Sequence, residues 1–292
     1  MMLKKPDWLK VSFNEDEVAD VADLIIDLEL NTVCSEAACP NRGECFSAKT
    51  ATFMVMGQYC TRDCRFCNVT STKPEALDPD EPERVAKAAA TLGLEHVVVT
   101  QVTRDDLADG GAGHMAETIE ALRKHNPTAT IEVLVSDYRG DERAIDKVIA
   151  AKPDVYAHNV EMPRALSKTV RPDADYDRSL AVLDYVKRTA PSILTKTGFM
   201  LGLGESDEEI GELLDDLAKV KVDIVTIGQY LQPTKRHAEL KRYVTPDEFE
   251  TYRQIALAKG IGFVVSTPLV RSSYKAAEAV AAVRQRDLSP TL

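Results

Sequence analysis

Long apolar runs are missing from this sequence. None approaches the roughly 18 to 20 residues of a membrane-crossing helix, so no membrane association is expected. Basic charge is also short: 36 lysines and arginines stand against 47 acidic residues, a formal net charge of -11. Nucleic-acid binders usually carry a basic face, so the balance argues against that class. The start of the chain, MMLKKPDWLKVSF, is basic but has neither an apolar h-region nor a small-residue cleavage site. A cytoplasmic protein is the expectation. The five histidines form no H-x3-H or HExxH pattern, and the strands are not followed by a Gly-rich dinucleotide turn. Nor are there internal repeats, low-complexity segments or flexible linkers.

Cysteine is confined to one stretch. All six lie between Cys34 and Cys67, and none follows. A disulfide framework spreads its cysteines through a small secreted fold. A tight cluster in a reducing compartment points to metal.

The remainder of the chain alternates. Residues 1–13 read as an arm with Trp8 and Leu9 as anchors. Residues 14–30 read as a helix, with Asn14 as N-cap and Glu17 three residues on. Residues 31–49 read as a loop. Apolar, β-branched runs follow at 51–57, 96–102, 130–136, 154–160, 193–201, 222–228 and 261–266. Helical patterns lie between them, near 81–92, 113–125, 141–150, 175–189, 207–220 and 246–259. Continuous apolar strands separated by helices predict a parallel sheet covered by helices. The expected fold is therefore α/β, a partial (β/α)6 TIM-like barrel with N-terminal and C-terminal extensions. The expected domains are 1–49, an extension with a cysteine loop; 50–266, the barrel core; and 267–292, a C-terminal segment.

Cys60-Thr-Arg-Asp-Cys64-Arg-Phe-Cys67 is a C-x3-C-x2-C run directly after the first strand. Three thiolates on a short loop grip a four-iron cluster and leave one iron open. Zinc prefers paired C-x2-C knuckles with a fourth Cys or His, and no partner pair exists here. The spacing resembles the signature of the radical S-adenosylmethionine superfamily, including the aromatic Phe66 before the last cysteine. That resemblance implies that the open iron is chelated by the amine and carboxylate of S-adenosylmethionine. Reductive cleavage would then yield a 5′-deoxyadenosyl radical.

Cys34-Ser-Glu-Ala-Ala-Cys39-Pro-Asn-Arg-Gly-Glu-Cys45 is a second triad, C-x4-C-x5-C. Two separate clusters use all six thiols; one shared cluster leaves two idle. Ordinary buried cysteines are the plain alternative, but the surroundings are polar and loop-forming. This pair of triads is similar to the lipoyl synthase family, and the likeness runs over roughly residues 4 to 280. CPNRGEC, ATFMVMG, VTRDDLADGGA, HNVEM, VRPDADY, GFMLGLGE, GQYLQPT, RYVTPDEF and VRSSY carry it in order. The resemblance implies two 4Fe–4S clusters, with Ser273 as fourth ligand of the auxiliary one beside Cys34, Cys39 and Cys45. It further implies insertion of two sulfur atoms at carbons 6 and 8 of an octanoyl group, with the auxiliary cluster as donor. The group is borne by a lipoyl carrier domain of the glycine-cleavage H protein or 2-oxoacid dehydrogenase E2 type. A flavodoxin or ferredoxin would supply electrons. Read alone, Ser272 or Ser273 is an ordinary helix cap.

Hydrogen-atom abstraction needs no general base, so the remaining candidates are binding groups. Asn159 and Glu161 alternate at the end of a strand and are expected at the cofactor, against a surface role for Glu161. Gly204 suits a close backbone approach or a simple turn. Lys196 and Arg271 are expected at cofactor or substrate, against plain salt bridges. His158 is a cofactor contact or a structural histidine. Asp105 and Asp106 read as loop braces. Lys275, Thr267 and Gln101 depart from the family's frequent His, Gly and Ser without touching a ligand position. A biotin-synthase-like enzyme and a non-catalytic electron-transfer protein are the alternatives.

Overall fold

β-Branched runs this apolar have no polar face to give to water, so each must be covered on both sides. The computed structural model describes residues 4–10, 15–37, 39–47, 51–274 and 276–288. The chain forms two compact units. One comprises Val11–Asp63 and Cys67–Tyr156, the other Met1–Lys10, Cys64–Phe66 and Ala157–Leu292.

The first of these begins with α1 (Glu15–Asp27), β1 (Asn31–Thr32), α2 (Val33–Glu36) and α3 (Arg42–Ser47). Then come β2 (Thr52–Val55), β3 (Tyr59–Cys60), β4 (Thr70–Ser71), α4 (Glu81–Leu92) and β5 (His96–Gln101). It continues with α5 (Ala112–His125), β6 (Thr130–Leu134) and α6 (Glu142–Ala150), and β7 (Val155–Ala157) stands at its end. β2 pairs parallel with β5, and β5 with β6; β1 is antiparallel on the far edge of β2. Every residue of β2 is buried, as are four of the six in β5. α4 ends on Gly93, whose φ of 65° is the left-handed cap that stops a helix cleanly.

The other unit carries α7 (Arg164–Val170), α8 (Tyr176–Thr189), β8 (Leu194–Leu201), α9 (Asp207–Lys219), β9 (Ile224–Gln229), α10 (Pro246–Ala258), β10 (Phe263–Ser266) and α11 (Ala276–Leu288). β8, β9 and β10 are parallel neighbours. Their core includes Phe199, Leu213, Val225, Ile227, Phe249 and Val264. Ser206 and Glu209 form a capping box at α9, and Thr245 and Glu248 another at α10, fixing where both helices begin. In the arm, Leu9 is fully buried and Trp8 meets the ring of Tyr243 edge-on at 6.3 Å.

Within each unit the alternation is parallel α/β, as the sequence predicts. The stretch 31–49 departs from expectation. It is not a plain loop but holds β1 and two short helices, because Thr32 caps α2 by accepting from the Ser35 N–H at 3.3 Å. α7 and α11 are further additions. The expected cap Asn14 and the departure at Lys275 lie outside the described residues.

Candidate active site

α2 and α3 hold the first triad. Cys34 lies in α2 and Cys45 in α3, with Cys39 in the turn between. Backbone bonds tie them: Cys39 N–H to Cys34 C=O at 3.1 Å, Arg42 N–H to Cys39 C=O at 3.3 Å, Cys45 N–H to Asn41 C=O at 2.9 Å. The thiols are free, Cys34 buried and the other two half-buried. Burial pushes the Cys45 thiol up to about 12, and the neighbouring Cys34, Cys39 and Glu44 add to it. Cys34 is raised too, first by burial, with Cys39 contributing and Thr52 hydrogen bonds opposing. Burial and close thiol neighbours thus hold back ionisation of Cys34 and Cys45, which a bound positive charge would favour. Iron supplies that charge and replaces the protons, so the donor set fits an iron–sulfur cluster.

The second triad is built differently. Its loop is anchored residue by residue. In the first unit, Cys60 belongs to the β3–β4 pair, and its C=O accepts from the Thr72 N–H at 3.1 Å. Thr61 donates its N–H (3.0 Å) and its hydroxyl (2.9 Å) to the Thr103 C=O, and its Oγ1 accepts from the Asp105 N–H at 3.1 Å. Arg62 donates Nε and Nη2 to Asp105 at 2.7 and 3.0 Å, and Nη2 to Asp137 at 2.6 Å. Its backbone N–H reaches the Cys60 Sγ at 3.4 Å. In the other unit, the Arg65 N–H donates to Val170 C=O at 2.8 Å, and Arg65 C=O accepts from Ala238 N–H at 2.7 Å. Phe66 packs there against a group including Met162, Val170, Leu203 and Tyr230. Among the described residues no three His, Cys, Asp or Glu side chains converge as on one bound ion. A cubane needs no such convergence, because each thiolate binds a separate corner iron.

Asp105 does brace the loop, as expected. Burial opposes its ionisation, but hydrogen bonds from Arg62 and Arg139 outweigh that and hold its carboxyl below the usual range. A lowered folded pKa gives stability that is present above the unfolded value and is lost as pH falls through the folded one. Unfolding by urea should therefore become easier below about pH 4, and this acid-sensitive part should vanish in Asp105→Asn. Asp106 holds Arg104 through Nε and Nη2 at 2.9 and 2.8 Å. Asp109 closes its own loop by accepting from the Gly111 and Gly113 N–H groups, each at 3.0 Å.

The remaining expected contacts lie in the unit that includes Ala157–Leu292. Asn159 donates Nδ2 to the Ser272 hydroxyl at 2.8 Å. Glu161, at φ 69°, is held by its N–H to Gly198 C=O (2.9 Å) and its C=O from Met200 N–H (2.8 Å). Burial pushes its carboxyl up, while Arg171 and an Asn159 hydrogen bond oppose. Lys196 is only 1% exposed on β8. His158 Nε2 pairs with Ser179 Oγ at 3.0 Å in a buried setting, the structural arrangement. Arg271 donates to the Val270 C=O at 2.6 Å, and Ser273 is half-buried on the same turn. Gly204 has φ 109°, and Gly202 before it φ 105°. Glu205 accepts from the N–H groups of Gly202 and Leu203 at 2.6 and 2.9 Å, making this loop a closed turn.

Sequence reasoning passed over Arg62, whose partners are distant in sequence, and noted Gln229 at a strand end without giving it a role. Gln229 donates to the carbonyls of Leu201, Tyr230 and Arg242 at 3.0 to 3.2 Å and accepts from Val244 N–H at 2.8 Å. A Cβ on Gly202 would stand 2.3 Å from that amide and 2.6 Å from Arg242 O. Gly202→Ala should therefore cost about 2 kcal/mol or more in urea unfolding, since the strained φ adds to the clash.

The radical SAM superfamily pattern matches residues 54–217. A lipoyl synthase of Caldanaerobacter subterraneus subsp. tengcongensis is 53% identical over 276 residues, 94% of this chain and 97% of the relative. Methylornithine synthase (PylB) superposes with a TM-score of 0.55 at 15% identity, covering 95% of this chain and 97% of its own. SuiB of Streptococcus suis, solved bound to S-adenosylmethionine, gives 0.55 at 14% identity over 74% of this chain. The chain spans 50% of SuiB, and at such identities the two structures speak for the fold alone. The strand–helix alternation and the C-x3-C-x2-C loop are thus those of a radical S-adenosylmethionine enzyme, with a mostly parallel α/β fold. Within that superfamily, the near-complete match makes the chain a member of the lipoyl synthase family. S-adenosylmethionine and 4Fe–4S clusters are that family's cofactors. Among the described residues, no helix is long and apolar enough to cross a membrane.

Proposed function

We propose that this chain inserts two sulfur atoms, at carbons 6 and 8, into an octanoyl group amide-linked to a lysine of a lipoyl carrier domain. The observation that carries this reading is the pair of triads, one gathered on α2, α3 and the turn between them and one on a firmly anchored loop. Cys60, Cys64 and Cys67 hold three irons of the radical cluster and leave the fourth for S-adenosylmethionine. When bound, that cofactor pair supplies a carbon radical able to take a hydrogen atom from an unactivated C–H bond. Cys34, Cys39 and Cys45 hold the auxiliary cluster that gives up its sulfur, with Ser273 as fourth ligand by family resemblance. An alkoxide is a harder donor than a thiolate and poorly matched to a sulfide cluster, which suits a cluster that must come apart.

The protein's own contribution is grip and exclusion of water. Phe66 is packed against Met162 and Val170, and Glu161 and Asn159 are hydrogen-bonding groups for the cofactor. Lys196, Gly204 and Arg271 complete the proposed contact set. The free thiols suit a reducing, cytoplasmic setting, with flavodoxin or ferredoxin as reductant. A glycine-cleavage H protein or a 2-oxoacid dehydrogenase E2 domain would present the octanoyl chain.

The test is anaerobic turnover on an octanoylated carrier domain, read by mass spectrometry. Wild type should yield lipoyl product with two 5′-deoxyadenosines per product. Cys34→Ala should still cleave S-adenosylmethionine but leave the octanoyl chain without sulfur. Cleavage by neither protein would sink the reading.

A further inference from the structure

Glycine inside a strand weakens it and usually marks a close approach. β8 and β9 each carry one, Gly198 and Gly228, both buried. Neither needs a left-handed φ, so conformational freedom does not explain them. The reason is the segment that follows β10. A Cβ on Gly228 would stand 2.3 Å from the Val270 carbonyl oxygen and 3.4 Å from Arg271 Nη1. A Cβ on Gly198 would stand 2.5 Å from Thr226 Oγ1, 3.1 Å from Asn159 Oδ1 and 3.3 Å from Ser272 Oγ.

Hydrogen bonds pin the same segment from several directions. Thr267 N–H donates to Ile227 C=O at 3.2 Å, and Gln229 N–H to Pro268 C=O at 3.1 Å. Within the turn, Val270 N–H reaches Thr267 C=O at 3.1 Å and Tyr274 N–H reaches Arg271 C=O at 2.9 Å. The Asn159 Nδ2 bond to Ser272 Oγ closes it. Ser272 is thus engaged across 113 residues of sequence, not as a local cap.

We propose that Gly198, Gly228 and Asn159 form a seat that orders the 267–274 turn, with Asn159 a positioning residue that acts through Ser272 on Ser273. This rests on the reading of Ser273 as a cluster ligand. A hydroxyl is a weak ligand for iron and gains most from being held in place beforehand. Alanine at Gly228 must displace backbone, whereas loss of the Asn159–Ser272 bond only loosens one end of the turn.

Hydrogen exchange at amides 269–274 of the reconstituted full chain tests the seat, and the EPR signal of the auxiliary cluster tests its purpose. Gly228→Ala, Asn159→Ala and Ser272→Ala should each speed exchange there by roughly tenfold or more. Ser272→Thr should restore wild-type exchange, and the Asn159→Ala/Ser272→Ala double variant should match either single one. Ser273→Ala removes the ligand but not the seat, so exchange should stay slow. In Gly228→Ala and Ser272→Ala the auxiliary cluster keeps its three thiolates, so iron should stay near about eight per chain, but its EPR signal should change as in Ser273→Ala while the S-adenosylmethionine-perturbed signal persists. If Gly228→Ala fails to fold, Asn159→Ala and Ser272→Ala still decide the matter. Unchanged exchange in those two overturns the seat. Faster exchange with an unchanged auxiliary-cluster signal in Gly228→Ala and Ser272→Ala leaves the seat standing but overturns its presentation of Ser273.

Discussion

Cys67→Ala should abolish 5′-deoxyadenosine formation and lower the iron content of the reconstituted chain from about eight to about four per chain. A cubane held by three thiolates has none to spare, because the fourth iron is kept for the cofactor. Removing one leaves two protein ligands on a cluster with two open irons. The same outcome is expected at Cys60 and Cys64. Substitution at Cys34, Cys39 or Cys45 should also halve the iron but leave cofactor cleavage in place. The two triads therefore separate by product analysis: one set of variants loses the radical, the other loses only sulfur transfer. Full cofactor cleavage by Cys67→Ala would contradict the assignment of roles.

The second large effect falls on a residue that binds no metal. Arg62→Met should destabilise the chain by about 3–5 kcal/mol in urea unfolding, because it strands buried carboxylates. The Arg62 side chain is 5% exposed, Asp105 13% and Asp137 0%. The guanidinium serves both at once, bidentate to Asp105 and single to Asp137. Two neighbouring acids in that setting raise its already high pKa further against the burial that would lower it. Lysine keeps the charge but not the fork, so Arg62→Lys should fall between Arg62→Met and wild type. Because Arg62 sits between Cys60 and Cys64, the loss should also slow cluster uptake by loosening the loop. A cost below about 1 kcal/mol for Arg62→Met would mean the bracket contributes little.

How far the sequence revealed these features depended on the range of the interaction. β5, β6 and β8 were legible as β-branched, largely apolar runs, the pattern that burial on both faces favours, even though buried Glu132 interrupts β6 and buried Lys196 interrupts β8. α9 and α10 were expected from helical patterns near 207–220 and 246–259, and the structure adds the capping boxes of Ser206 with Glu209 and Thr245 with Glu248 that fix their starts. The cysteine stretch was harder. α2 is four residues long and α3 six, too short for helical periodicity to register.

The candidate ligands were legible because their chemistry lies in residue type and spacing, both written locally. Their supports were not. Asp137 lies 75 residues from Arg62, and Ser272 lies 113 from Asn159. Gly198 and Gly228 read as unremarkable strand glycines until the 267–274 turn is laid over them. His158 shows the reverse case: its position at a strand end suggested chemistry, but Ser179 on α8 already engages its ring.

Isotope transfer tests the central claim most directly. The chain would be reconstituted with 34S-sulfide, freed of unbound sulfide, and given an octanoylated carrier domain, reductant and S-adenosylmethionine. The account predicts lipoyl product in which both sulfur atoms carry the label, in wild type but not in Cys34→Ala. Unlabelled lipoyl product, or labelled product from Cys34→Ala, would contradict it.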